Sequence, residues 1–495
     1  MTEAPRFVVV GRVNKGKSSI VATLAEDDSV RIDPRPGTTI EVREYPVRVD
    51  GRTLFTLVDT PGFEDAPRAL AWLRQREVSA ADRPARVAEL LRAHQRTDEF
   101  ADERKLLAPI LAGANILYVV DGTHPFRGNY EAEMEILRWT GRPGMALINR
   151  IGEEDHAAEW RRALDQYFRI VRDFDAFSAT FEERLRLLET FRELRPDSRG
   201  AIDEAIAALV AQRLRRRGEA AAEIAELVID ELTHTEEISV PDENALDAER
   251  DRLERSFHDA LRAREEVARQ RIERLYAHGE ARFASPSLER PVFQQDLFAE
   301  ATWKLLGLTP AELVAASTLA GAAVGGVVDA FVGGTSVMAG TAIGGAVGGA
   351  TALFGLGRRF ARVRTVSAGG IAGWLLAARR YWEGGRRFRI GPHAQPNFPW
   401  VLLDRSLLHY DGVIRRTHAR RGTIPVAEGM RAGLVADFAR AERRDLEELF
   451  RKIRRSGADP PRELRDRLEW LVGRILRRID PVPGESREPE AGSTA

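Results

Sequence analysis

The residues with the clearest chemical meaning lie near the start of the chain. Gly11-Arg12-Val13-Asn14-Lys15-Gly16-Lys17-Ser18 matches the spacing G-x-x-x-x-G-K-[ST] once. It follows a short apolar run, Phe7–Val10, and opens a helical pattern at Ser19–Ala25. Glycines at both ends let backbone N–H groups turn inward around a phosphate, and the following helix adds the positive end of its dipole. Lys17 is placed to reach β- and γ-phosphate oxygens, and Ser18 to ligate Mg2+. Lysine occurs five times, at Lys15, Lys17, Lys105, Lys304 and Lys452, while arginine supplies the other 70 of 75 basic residues. Two of five lysines falling in this loop point to a local need for lysine.

Two further segments fit the same chemistry. Asp59-Thr60-Pro61-Gly62 ends a strand-like run; an aspartate there holds Mg2+, and the Gly62 N–H senses a γ-phosphate. Pro36-Gly37-Thr38-Thr39 lies between the first helix and the second strand, where a loop delivers a threonine hydroxyl to Mg2+.

The order GRVNKGKSS, RPGTT, LVDTPG resembles the Era/TrmE branch of translation-factor-class P-loop GTPases over about residues 6–195. With ILYVVDGTHPFRGNYEAEMEILRWTG and the overall layout, it is similar to bacterial members carrying a long C-terminal domain of unknown function. The resemblance implies a GTP-hydrolysing molecular switch with GTP or GDP as ligand, Mg2+ at Ser18, Thr39 and Asp59, and catalytic roles for Lys17, Thr39 and Gly62. Gly11, Asn14, Lys15, Gly16, Lys17, Ser18 and Ser19 would surround the nucleotide. Asn14 falls where potassium-activated members carry a K+-binding asparagine. Phe63 replaces the catalytic glutamine of Ras-like enzymes and cannot orient water. The base-recognition motif departs from the family form: Asn149-Arg150-Ile151-Gly152 keeps the asparagine but puts glycine where an aspartate pairs with guanine, with Asp155 three residues on. Ser178-Ala179, after the strand-like Val171–Phe177, resembles the last base-contact loop.

These residues need a scaffold. At 495 residues, and roughly 100–200 per domain, two to four domains are expected. Strand patterns at Phe7–Val10, Ile40–Val49, Thr53–Val58, Ile116–Val120 and Met145–Ile148 alternate with helical ones at 129–139, 156–169 and 180–194, which predicts an α/β fold with a mostly parallel sheet and helices on both faces. Asp50-Gly51 predicts a hairpin turn. The expected domains are a GTPase domain at 1–200, with a helical insertion at about 64–113; a region of several amphipathic helices at 201–312, broken near 239–244; a glycine-rich apolar hairpin at 313–357; an α/β or helical domain at 358–480; and a disordered tail at 481–495. Within the fourth, a strand pair is expected around 386–410 and helices at 426–456 and 461–479.

The 313–357 tract holds 12 glycines and one charge, Asp329, and arginines crowd its far side. Two spans of about 20 residues would fit, with both termini cytoplasmic. A buried hairpin in a protein core is the other reading.

Composition excludes several classes. Cysteine is absent, so disulfides, thiolate metal sites and a cysteine nucleophile are ruled out. A net charge of -1 excludes a strongly basic nucleic-acid coat, and the sequence does not support nucleic acid as a partner. The first residues are not those of a secretory signal. The expected location is cytoplasmic, with inner-membrane association through 313–357. Expected partners are a guanine nucleotide, a membrane, an unidentified protein and a nucleotide-dependent second copy. Alternatives to the switch are a nucleotide sensor with negligible hydrolysis and an RNA- or ribosome-associated assembly GTPase.

Overall fold

A computed structural model describes residues 4–12, 15–27, 29–30, 41–150, 154–194, 198–239, 243–277, 387–393, 397–419 and 434–485. Asn14, the Pro36–Thr39 loop with its Thr39, Gly152 and the 313–357 tract lie outside the described residues.

The chain opens with strand β1 (Arg6–Val10), helix α1 (Lys17–Ala25) and strands β2 (Arg43–Val49) and β3 (Arg52–Asp59). Val8, Val9 and Val10 are fully buried, as expected of a parallel strand covered on both faces. The β2–β3 turn has positive φ at both Asp50 (51°) and Gly51 (76°), the geometry that suits a two-residue hairpin loop. Pro46 sits in β2, at the sheet edge, where a missing backbone donor is tolerated.

Three helices then intervene: α2 (Ala66–Arg74), α3 (Arg83–Ala93) and α4 (Ala101–Leu111). Strand β4 (Asn115–Asp121), helix α5 (Asn129–Trp139), strand β5 (Gly144–Asn149), helix α6 (Ala157–Leu164), strand β6 (Ile170–Asp173) and helix α7 (Phe181–Leu194) complete this part. The six-stranded sheet has the order β2-β3-β1-β4-β5-β6, parallel except for the β2–β3 pair. One apolar cluster joins a face of the sheet to α2–α6, with Leu70, Leu73, Leu90, Leu107, Met134 and Trp160 in it. The other joins the opposite face to α1 and α7. The strand and helix expectations up to residue 194 agree with this arrangement, except that β6 stops at Asp173 rather than running to Phe177 and the helix expected over 156–169 ends at Leu164.

Helix α8 (Arg199–Thr233) is one continuous element of 35 residues, ending before the break expected near 239–244. At 1.5 Å per residue it is about 52 Å long. Ile202 and Ala205 belong to the core beside α1 and α7, whereas Ala220 to Leu232 belong to a third core. That third core is built with α9 (Glu243–Leu275), α10 (Phe398–Arg415), α11 (Arg440–Ser456) and α12 (Arg462–Ile479). Strand β7 (Glu236–Ser239) pairs antiparallel with β8 (Arg387–Ile390). The strand pair expected around 386–410 is thus corrected: among the described residues of that stretch only Arg387–Ile390 is a strand, its partner lies near residue 237, and residues 398–415 are helical. The helix expected over 426–456 begins at Arg440 among the described residues, after a short 3-10 turn at Leu434–Asp437. Among the described residues no helix is long and apolar enough to cross a membrane.

Helix α10 is buried on every side, from Phe398 to Val413 with only Trp400 partly exposed. A helix without a solvent face needs partners for its polar groups. Arg405 donates to both Glu265 oxygens, at 2.7 and 3.0 Å. Asp404, fully buried, accepts the Val435 N–H at 3.0 Å, yet burial pushes its carboxyl up to about 6 from an ordinary 3.8. The folded state therefore keeps a proton that the unfolded chain releases. The stability this group contributes is fully present below about 3.8 and is lost as pH rises through about 6. The gap corresponds to about 3 kcal/mol. Asp404→Asn, which retains an acceptor for Val435, is expected to be more stable than wild type at pH 8, with the advantage shrinking towards pH 4. Urea unfolding at both pH values checks this; parallel pH profiles would contradict it.

Candidate functional site

The phosphate loop is fixed by what lies behind it. Gly11 has φ of +146°, and a Cβ there would meet the Val119 carbonyl oxygen at 2.2 Å, so β4 excludes any side chain. Gly16 is left-handed (φ 82°) and caps α1. Lys17 is 6% exposed, and its Nζ donates to the Arg12 carbonyl at 2.9 Å. Burial lowers its ammonium below the ordinary lysine range, opposed by Asp59 and Glu133.

Ser18 Oγ donates to Asp59 Oδ2 at 2.8 Å, joining the loop to the end of β3. A hydroxyl and a carboxylate this close, beside Lys17, form a hard-oxygen pair that fits Mg2+. Thr60 Oγ1 donates to the Val9 carbonyl at 2.9 Å and ties the start of the next loop to β1. Phe63 is 5% exposed in the cluster formed with the inserted helices. It anchors that loop, and its side chain has no polar group to orient water.

On the opposite side, Asn149 is fully buried at the end of β5. Its Nδ2 donates to the Lys15 carbonyl at 3.4 Å, and its Oδ1 accepts the Ala176 N–H at 3.3 Å. One side chain thus bridges the phosphate loop and the 175–180 loop. Thr23 Oγ1 also donates to the Ala176 carbonyl, at 2.8 Å. The residue held against Asn149 is Ala176, two positions before the expected Ser178-Ala179. Ser178 instead donates to Asp175 Oδ2 at 2.6 Å, and Ala179 is buried in the core beside α1. Arg150 lies 3.6 Å from Asp155, whose other oxygen accepts the Ala157 N–H at 2.9 Å at the start of α6. Asp155 is therefore engaged with the first turn of α6 and an exposed arginine. Ser19 is buried within α1.

Sequence reasoning missed four participants. Glu133, on α5 and fully buried, accepts from Arg12 Nε and from the Tyr118 hydroxyl at 2.9 Å. The Arg12 guanidinium also stacks 4.3 Å from the Tyr130 ring. Burial raises the Glu133 carboxyl, against the pull of Arg12. A glutamate on the apolar face of the 129–139 pattern was the available signal. Asp121 accepts from Lys15 Nζ at 3.2 Å and from the Thr123 hydroxyl at 2.6 Å. Burial pushes its carboxyl up, but these partners prevail and hold it below the ordinary range. Glu103 faces the loop after Gly62. Finally, Thr417 Oγ1, just past α10, donates to the Phe177 carbonyl at 3.2 Å, so the C-terminal half touches the same 175–180 loop that Asn149 holds.

Comparisons with known proteins cover both halves of the chain. The family described as "50S ribosome-binding GTPase" matches residues 6–150, and a "Domain of unknown function (DUF3482)" matches residues 161–470. The tRNA modification GTPase MnmE of Chromohalobacter salexigens is 40% identical over 91 residues, 17% of this chain and 19% of its own length. GTPase Der of Moorella thermoacetica is 27% identical over 177 residues, 36% of this chain and 34% of its own. The chain thus spans well under half the length of these curated relatives. Among solved structures, Aquifex aeolicus Era bound to GDP and aluminium fluoride is similar at 16% identity and a TM-score of 0.26, covering 40% of this chain and 58% of that one. With residues 161–470 matched, the chain belongs to the DUF3482 family, a C-terminal domain of unknown function carried here behind a P-loop GTPase domain.

Proposed function

We propose that the protein is a molecular switch that binds GTP and hydrolyses it to GDP and phosphate, with the C-terminal half as its output. The observation that carries this reading is the Ser18–Asp59 hydrogen bond, which brings the phosphate loop and the Asp59-Thr60-Pro61-Gly62 segment to one point beside Lys17. Lys17 exchanges the Arg12 carbonyl for β/γ-phosphate oxygens, and the backbone N–H groups after Gly11 enclose the β-phosphate. Ser18, Asp59 and Thr39 would hold Mg2+, which neutralises charge developing on the phosphates. Gly62 supplies an N–H to the γ-phosphate. Asn149 keeps the base side in register with the phosphate side by bonding both loops.

Phe63 leaves the usual water-positioning place without a polar group, so this reading assigns charge stabilisation to K+ held by Asn14. The expected result is GTP turnover that is faster in K+ than in Na+ by at least about tenfold, with the difference lost in Asn14→Ala. Equal rates in the two salts would remove K+ from the account. Absence of turnover in either salt would favour the sensor alternative.

A further inference from the structure

We propose that Glu103, on the inserted helix α4, is a positioning residue for the Gly62 loop; this rests on the switch reading above. The side chain is 1% exposed, and its Oε1 accepts two backbone N–H groups, from Glu64 at 2.9 Å and Asp65 at 2.7 Å. Those two residues join Gly62 to α2. The same carboxylate therefore fixes the loop and adds negative charge at the N-terminus of α2, where the helix dipole favours it. At the other end of α2, Arg86 is 5% exposed. It donates to the Trp72 carbonyl at 2.8 Å and the Leu73 carbonyl at 3.3 Å, with its guanidinium 3.8 Å from the Trp72 ring. One short helix is thus gripped at both ends by buried charges of the sign its dipole prefers, both supplied by the insertion.

The consequence falls on Gly62. Upstream, Thr60 is tied to β1. Downstream, Phe63 is buried and Glu64 and Asp65 are bonded to Glu103. The N–H that meets the γ-phosphate lies between two anchors only a few residues apart. A donor fixed before the reaction costs little reorganisation during it. Nucleotide affinity, in contrast, resides mainly in the phosphate loop, which Glu103 does not touch among the described contacts. Loosening the downstream anchor should therefore slow turnover and spare binding. It also assigns the insertion a purpose: it is the frame that sets the γ-phosphate-facing loop.

The test uses the full chain with Glu103→Ala and Glu103→Gln, the second retaining an acceptor oxygen should the first fold poorly. Steady-state GTP turnover, affinity for a fluorescent GDP and amide exchange at residues 64 and 65 are measured together. The expected result is kcat about tenfold lower in Glu103→Ala, with KM and GDP affinity within about twofold of wild type, faster exchange at the two amides, and a smaller kcat loss in Glu103→Gln. A merely structural role would lower the unfolding midpoint while leaving kcat per folded molecule unchanged, and that result overturns the inference. So does a fall in GDP affinity parallel to kcat. If wild type turns over GTP and both folded variants match it, only this inference fails; if wild type shows no turnover, the switch reading fails and takes this inference with it.

Discussion

Lys17→Ala is expected to abolish measurable GTP and GDP binding while leaving the fold intact. The ammonium group is buried in the loop, bonded to the Arg12 carbonyl and in the field of Asp59 and Glu133. Hydrogen bonds to charged groups contribute about 1.5–3 kcal/mol each, and two to phosphate oxygens account for a loss of at least about 100-fold. Stability should change little, because burial already disfavours the lysine charge and the Arg12 carbonyl is a backbone group that water can reach once the side chain is removed. Calorimetric titration and a denaturation curve on the same preparation check both halves of the statement. Unchanged affinity in a folded variant would remove Lys17 from the site.

The second large effect concerns the pairing of α8 with the end of α12. Arg213, on α8, donates to Asp480 at 2.8 and 3.0 Å, and the two side chains are 5% and 6% exposed. The Tyr410 hydroxyl donates to the same carboxylate at 3.0 Å, and Arg217 donates to the Asp480 carbonyl at 2.9 Å. Asp480→Ala leaves the Arg213 charge buried without its carboxylate, a change that costs about 3–5 kcal/mol. A loss of that size should appear as a lower urea midpoint for the C-terminal half. The double change Arg213→Met with Asp480→Leu should recover most of it, because removing both charges also removes the desolvation cost. A loss below about 1 kcal/mol in Asp480→Ala would show that solvent reaches the pair.

The phosphate-binding end of the fold was legible because each of its steps is local. A buried valine strand, a glycine required by close approach at Gly11 and another by positive φ at Gly16 are written within thirteen residues. Asp50-Gly51 was legible for the same reason, since its two positive φ angles suit those residue types. The misplacements arise from long-range packing. Residues 398–410 fall in the stretch expected to hold a strand, yet they form α10, which is buried almost all round with Asp404 and Arg405 held by Val435 and Glu265. Helix α8 keeps one periodicity while its packing partners change from α1 and α7 to α9–α12, and spacing alone does not reveal that exchange. Asn149 reaches the 175–180 loop through the Ala176 N–H, a backbone contact that no side-chain pattern encodes. Glu103 was hidden for a similar reason. Its partners are backbone groups some 40 residues earlier in the chain.

The central claim is that a nucleoside triphosphate binds with its phosphates in the loop from Gly11 to Ser18. Equilibrium titration of the full chain with fluorescent GTP and ATP in Mg2+, each competed by its unlabelled form, tests it most directly. The account predicts saturable one-site binding of GTP that unlabelled GDP displaces, with ATP binding more weakly. Absence of saturable binding for any nucleoside triphosphate, in a preparation whose circular dichroism shows the folded chain, would contradict it.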